Sequence, residues 1–217
     1  TPSVELADGE YDVVAKATDK AGNTGESQPE SFEVDTVAPE LTIDELKPTN
    51  DTTPEITGKT EPGAIVDVVI KDKDGEIVSE GKAEVDPEGN WTYTPTEELP
   101  EGHYDIEVTP TDKAGNKGDT SKEQLEVDTT PPSDITIDPI GGDDFESNDP
   151  QPEITGTGEK GSLVDIVITG PDGFEEKATV EVGEDGKWSY KPEAELEEGD
   201  YKIEATPKDE AGNVGNP

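Results

Sequence analysis

Short runs in which apolar and polar residues alternate recur along the whole chain. In Ile65-Val-Asp-Val-Val-Ile70, the side chains of Val66, Val68 and Ile70 share one face, and Asp67 points away from it. From His103 to Thr109 the alternation turns Tyr104, Ile106 and Val108 to one side. A period of two places successive side chains on opposite faces of a strand, so each run predicts a half-buried β-strand. Between residues 38 and 128 the runs are Leu41–Ile43, Glu55–Thr57, Ile65–Ile70, Glu76–Val85, Trp91–Tyr93, His103–Thr109 and Gln124–Val127. Turn-forming clusters separate them, among them Asp72-Lys-Asp-Gly75 and Asp86-Pro-Glu-Gly-Asn90. Helical periodicity is absent. Seven short strands over about 100 residues predict an antiparallel β-sandwich.

The pattern repeats. Thr-Asp-Lys-Ala-Gly-Asn at 18–23 recurs unchanged at 111–116 and returns as Lys-Asp-Glu-Ala-Gly-Asn at 208–213. Val-Asp-Thr at 34–36 recurs at 127–129, Pro-Glu-Ile-Thr-Gly at 54–58 recurs at 152–156, and Trp91-Thr-Tyr93 matches Trp188-Ser-Tyr190. Gly9-Glu-Tyr, Gly102-His-Tyr and Gly199-Asp-Tyr open equivalent segments. Offsets between copies change only between strands, where loops absorb insertions. The register predicts three segments: the last two strands of an upstream repeat plus linker at 1–37, a complete repeat plus linker at 38–130, and a repeat lacking its final strand at 131–217. A window cut from a longer array is the expectation, with its terminal repeats either trimmed or completed by other chains. An aromatic at the same position in each repeat is expected to pack in the core; stacking on a sugar is the alternative for Trp91 and Trp188.

Composition complicates that picture. Leu, Ile, Val and Phe make up 40 of 217 residues, below the roughly 20% at which composition begins to suggest disorder. There are 56 acidic side chains against 16 basic ones, a net charge of −40, and every basic residue is Lys. Nucleic acid is therefore not expected as a partner, because no basic patch is present to neutralise phosphates. No apolar run is long enough to cross a membrane as a helix. The absence of Cys rules out disulfides and thiolate chemistry, and the single His103 leaves little room for acid–base or transition-metal chemistry. Water, Lys and hard cations such as Ca²⁺ are the partners left for so many carboxylates.

Pro62-Gly-Ala-Ile-Val-Asp-Val, Gly89-Asn-Trp-Thr-Tyr-Thr-Pro, Glu101-Gly-His-Tyr-Asp-Ile and Thr111-Asp-Lys-Ala-Gly-Asn, followed by Val127-Asp-Thr-Thr-Pro-Pro, together resemble the bacterial Ig-like repeats of giant surface adhesins. The resemblance covers both large segments and the N-terminal fragment. It implies tandem Ig-like β-sandwiches arranged end to end. It also implies secretion to the bacterial surface, often by type I systems, and Ca²⁺ at the junctions between repeats.

Strand count gives an independent expectation for the carboxylates. In a seven-stranded antiparallel repeat, the loop between strands six and seven lies at the end where the repeat begins. Asp112 and Asn116 should therefore face Asp35, and Asp209 and Asn213 should face Asp128. Asp19 occupies the equivalent loop of the first segment. Asp44, Asp51, Asp138, Asp143, Asp144 and Asp149 add candidates at the opposite end. Oxygen ligands converging from a loop and a linker suit Ca²⁺, which takes 6–8 of them. The alternative for each loop Asp is a cap on backbone N–H groups of its own turn; the two roles can coexist. Asp74, Asp86, Asp172 and Asp185 are expected to be turn residues only, and the Glu-rich stretches 97–101 and 193–198 solvating loops.

The function expected is a structural spacer in a bacterial adhesin, stiffened by Ca²⁺, whose partners are the neighbouring repeats of its own chain. Contact with a host or biofilm surface would fall to other domains. A ligand-binding module is the alternative, with the loop from Asp138 to Asp149 and its Phe145 as the largest departure between repeats. An enzyme is not expected, because paired carboxylates need a shaped cleft and a narrow tandem sandwich offers none.

Overall fold

The computed structural model describes residues 4–141 and 146–217. Asp143, Asp144 and Phe145, singled out above, lie outside the described residues. The strands in chain order are β1 (Gly9–Val13), β2 (Lys16–Thr18), β3 (Thr24–Glu26), β4 (Glu30–Val34), β5 (Leu41–Ile43), β6 (Ile56–Thr60), β7 (Ile65–Asp72), β8 (Ile77–Val85) and β9 (Asn90–Tyr93). They continue with β10 (Gly102–Thr111), β11 (Ser121–Val127), β12 (Thr136–Ile137), β13 (Ile154–Thr157), β14 (Leu163–Thr169), β15 (Glu175–Glu181), β16 (Lys187–Tyr190) and β17 (Lys202–Lys208). The pairs β1–β4, β2–β3, β5–β6, β6–β9, β7–β8, β8–β9, β12–β13, β13–β16, β14–β15 and β14–β17 are antiparallel, and an isolated parallel bridge joins Thr49 to Val127.

The chain divides into two compact units. The first comprises residues 1–45, 55–96 and 105–123, and the second comprises 46–54, 97–104 and 124–217. Strands β5 to β11 are the seven expected for the complete repeat, joined in the order β11-β10-β7-β8-β9-β6-β5. Within the first unit β8 changes partner along its length. Ile77–Ala83 pairs with β7, then Glu84 and Val85 pair with β9. That switch lets one long strand serve both layers of the sandwich. Ile56, Val66, Val68, Ile70, Trp91, Ile106 and Val108 are almost wholly shielded from water. Val66, Val68, Ile70, Ile106 and Val108 are positions that the alternation assigns to the inner face, and Trp91 is one that its repetition assigns to the core.

Trp91 is seated by a glycine. Its indole N–H donates to the Thr42 carbonyl at 3.1 Å. A Cβ at Gly58 would lie 2.0 Å from that carbonyl oxygen and 2.8 Å from the indole ring. In the second unit a Cβ at Gly156 would meet Thr136 O at 1.9 Å and Trp188 at 2.6 Å. The Gly that ends each Pro-Glu-Ile-Thr-Gly copy is therefore the space the repeat's Trp needs. Trp91 and Trp188 are core residues.

Residues 9–34 differ from the expectation of two plain strands. The hairpin is split into β1–β4 and β2–β3. Where it parts, Ala15 N–H donates to Ser27 Oγ and Ser27 N–H to Ala15 O. Pro29 has no N–H to offer a ladder, which accounts for the break. Stacked Tyr11 and Phe32 lie across β1–β4, with ring centroids 5.6 Å apart.

In the second unit, β12-β13-β16 and β15-β14-β17 form two three-stranded sheets. Ile154, Val164, Ile166, Ile168, Val182, Trp188 and Ala205 make its core. One substitution between repeats changes chemistry. Ser79 bonds the Tyr93 hydroxyl at 2.8 Å in the first unit, whereas Glu176 accepts from the Tyr190 hydroxyl in the second. Burial and the neighbouring carboxylate push the Tyr190 phenol up to about 12.

Candidate functional site: the linker and the Asp-to-Asn loop

Five residues, Asp-x-Ala-Gly-Asn, close the same loop in all three copies. Asp19, Asp112 and Asp209 each donate their N–H to the carbonyl of Asn23, Asn116 and Asn213. The Asp Oδ1 accepts the Asn backbone N–H at 2.8 Å in every copy. The Asp Oδ2 accepts the Asn side-chain Nδ2 at 2.8 Å in every copy. The Gly adopts the left-handed conformation, with φ of 90° at Gly22, 97° at Gly115 and 95° at Gly212, which an L side chain disfavours. Asp86 and Asn90 build the same loop at a plain hairpin, so this fold is intrinsic to the sequence and needs no partner.

Two copies meet a linker. Within the first unit, Asn116 Nδ2 also donates to the Asp35 carbonyl at 2.9 Å. Within the second, Asn213 Nδ2 donates to the Asp128 carbonyl at 2.7 Å. The structure thus brings together the residues that strand count set facing each other, Asn116 with Asp35 and Asn213 with Asp128. Two residues after each Asn stands a Gly, and four residues after each linker Asp stands a buried Pro. A Cβ at Gly118 would lie 2.4 Å from the Pro39 carbonyl oxygen, and one at Gly215 would lie 2.8 Å from that of Pro132. The second unit adds Asn50 N–H, which donates to the Ala211 carbonyl at 3.1 Å.

The linkers are also held by two further acids, Asp8, which the sequence did not single out, and Glu101, which falls in a stretch expected to be a solvating loop. Asp8 accepts from the Thr36 N–H and hydroxyl, and Glu101 accepts from the hydroxyls of Thr129 and Thr130. The Thr130 and Thr129 hydroxyls hold the Glu101 carboxyl below its ordinary range. Both acids directly precede the Gly of a Gly-x-Tyr segment and lie at equivalent repeat positions, a signal present in the sequence. Inside each linker the Asp caps its own turn, Asp35 on Val37 N–H and Asp128 on Thr130 N–H, both at 3.0 Å.

The remaining candidates lie apart from the loop–linker contacts. Asp44 and Asp138 accept from the hydroxyls of Thr57 and Thr155. Asp51 and Asp149 cap the N–H groups of Thr53 and Gln151. Among the described residues no three His, Cys, Asp or Glu side chains converge. Asp112 is buried. Burial pushes its carboxyl up, but the side chain and backbone N–H of Asn116 and the N–H of Gly115 outweigh it, and the group titrates below its ordinary range.

A Ca²⁺ ion does not fit between the loop and linker oxygens as they stand. The amide nitrogen of Asn116 or Asn213 already occupies that position, with one N–H toward the loop carboxylate and the other toward the linker carbonyl. A cation there would have to turn the amide over and displace both bonds.

Comparison with known proteins gives the family. The sequence model of the bacterial Ig-like domain matches residues 1–36, 43–129 and 140–217. Similar solved structures include a tetra-tandem repeat from the extending region of a large adhesion protein, 26% identical, covering 96% of this chain and 55% of that one, with a TM-score of 0.41. The BSP domain of a biofilm-associated protein is 20% identical and covers 82% of this chain and 28% of that one, with a TM-score of 0.29. The FN1–FN3 domains of chicken CNTN1 are 17% identical and cover 96% and 72%, with a TM-score of 0.47. This chain thus spans about half the length of the adhesion-protein repeat structure. No curated protein matches it. Three successive matches account for nearly the whole sequence, and the chain belongs to the bacterial Ig-like domain family.

Proposed function

We propose that this chain is a spacer segment of a large bacterial surface adhesin, exposed outside the cell, whose repeats serve to hold a binding tip at a distance. The observation that carries the reading is the recurrence of one linker contact in both units, Asn116 to Asp35 and Asn213 to Asp128. Repeating a contact between consecutive repeats is what an array under tension needs, since each repeat touches only its neighbours and force passes through those contacts. The role is mechanical and not catalytic, and adhesion itself is assigned to other domains of the parent protein. Stiffening by Ca²⁺, which the resemblance implied, is left out of this proposal, because it would require the Asn amide to turn over as described above.

The test displays the chain between a cell-surface anchor and an epitope, then measures epitope height. A spacer moves the epitope outward, and the purified chain gives no signal on glycan arrays or host-cell layers. Saturable binding of the isolated chain to such a surface would instead make it a ligand-binding module.

A further inference from the structure

We propose that the Asp-x-Ala-Gly-Asn-x-Gly loop is a recognition site for an Asp-Thr-x-x-Pro linker, latched by the Asn carboxamide and closed without a cation. The inference deepens the spacer reading and rests on it for its purpose. Its geometry stands separately.

The latch is complete as a set of donors and acceptors. A primary amide offers two N–H groups on one nitrogen. In the second unit these reach Asp209 Oδ2 at 2.8 Å and Asp128 O at 2.7 Å. In the first they reach Asp112 Oδ2 at 2.8 Å and Asp35 O at 2.9 Å. An inverted amide would set its oxygen against two other oxygens, so electrostatics selects the donor orientation. The loop Asp is a positioning residue. Its Oδ1 pins the Asn backbone and its Oδ2 aims the carboxamide.

A second contact fixes the register. Gly118 and Gly215 admit the Pro39 and Pro132 carbonyls at distances no side chain allows. The amide selects one linker carbonyl, and the glycine selects the one four residues on. The linker arrives stiffened, because Asp35 and Asp128 cap their own turns and Pro fixes its own φ. The loop is also preorganised. Asp19 and Asn23 make the same internal bonds in an exposed loop where Gly25 has nothing within 4 Å of an added Cβ. Recognition therefore costs little ordering entropy on either side.

The experiment is residue-resolved amide hydrogen exchange on the full 217-residue chain, in EDTA and in Ca²⁺, for the wild type, Asn213→Ala and Asn213→Asp. The Asn50 N–H reports closure, since it donates across to Ala211. The N–H groups of β14 report folding. Asn213→Asp keeps the side chain's shape, removes its donors and adds a carboxylate, so it opens a latch but improves a cation site. The expected result is faster Asn50 exchange in both variants, roughly two- to tenfold for one hydrogen bond lost. Rates should be equal in EDTA and Ca²⁺, with β14 unchanged. If Asn213→Ala also deprotects β14, Gly215→Ala is read in its place, because its Cβ presses on the Pro132 carbonyl from the other side, and the same acceleration is expected. The proposal is overturned if Ca²⁺ slows Asn50 exchange in the wild type, if Asn213→Asp in Ca²⁺ is protected as well as the wild type, or if the variant read leaves Asn50 unchanged. None of these outcomes bears on whether the chain itself binds a surface, the result that would end the spacer reading.

Discussion

The loops at 19–23 and 112–116 are identical in sequence and share their internal hydrogen bonds, but their surroundings differ. Asn116 reaches a linker carbonyl at 2.9 Å and Gly118 is closed over by Pro39. Among the described residues the Asn23 bonds stay within its own loop, and a Cβ at Gly25 would have nothing within 4 Å. The loop's shape is thus a local property of Asp, Gly and Asn, and the linker docks onto a shape already made. Asp112 is buried where Asp19 is exposed, and the five residues keep the same internal bonds in both settings.

Glycine substitution should break the comparison most sharply. Gly118→Ala places a Cβ 2.4 Å from the Pro39 carbonyl and 2.8 Å from the Pro110 ring. It should destabilise by about 1–3 kcal/mol, as other overpacking changes do. Gly25→Ala meets nothing and should stay within about 0.5 kcal/mol. Denaturant melts of the two variants check this, and equal effects would mean that the linker does not press on Gly118.

Removing the positioning carboxylate comes next. Asp112→Ala strips the acceptor from the Gly115 N–H, the Asn116 N–H and the Asn116 side chain at once. The cost expected is about 1–3 kcal/mol for buried donors left unpaired. Asp19→Ala should cost less, because water replaces its bonds in an exposed loop. A double-mutant cycle of Asp112→Ala with Asn116→Ala should show strong coupling, since the carboxylate acts through the amide.

Asn116→Ala alone should cost about 1 kcal/mol more than Asn23→Ala, the worth of the bond to Asp35. The smallest effect expected is that of acid. The Asp112 carboxyl has a folded pKa below the 3.8 of the free group. Its contribution is complete above that value and fades as pH falls through the lower folded one. The protection of the Asn116 amide, measured relative to its intrinsic exchange rate at each pH, should therefore fall only in that acid range, and a loss of protection starting near neutral pH would contradict the assignment.

Much of this was legible in the chain. Alternation marked β7 and β10 because one face of each is buried, and repetition marked Trp91 and Trp188 as core. An even number of strands between a repeat's start and its sixth loop was enough to bring Asp112 to Asp35. The chemistry of that meeting was harder to read. Asn can present either oxygen or N–H, and only the positions of Asp112 Oδ2 and Asp35 O decide between them. The roles of Asp8 and Glu101 were obscured by the surrounding acids, although both directly precede the repeated Gly. The break between β1 and β2 depends on Pro29 standing between Ser27, which pairs with Ala15, and Glu30, which pairs with Val13, a placement that alternation alone does not set.

The most direct test follows the three carboxamides themselves. Side-chain Nδ2 protons of Asn23, Asn116 and Asn213 can be resolved by NMR and their solvent exchange measured in EDTA. The account predicts slow exchange for Asn116 and Asn213, fast exchange for Asn23, and no change when Ca²⁺ is added. Equal exchange in all three, or protection that appears only with Ca²⁺, would contradict it.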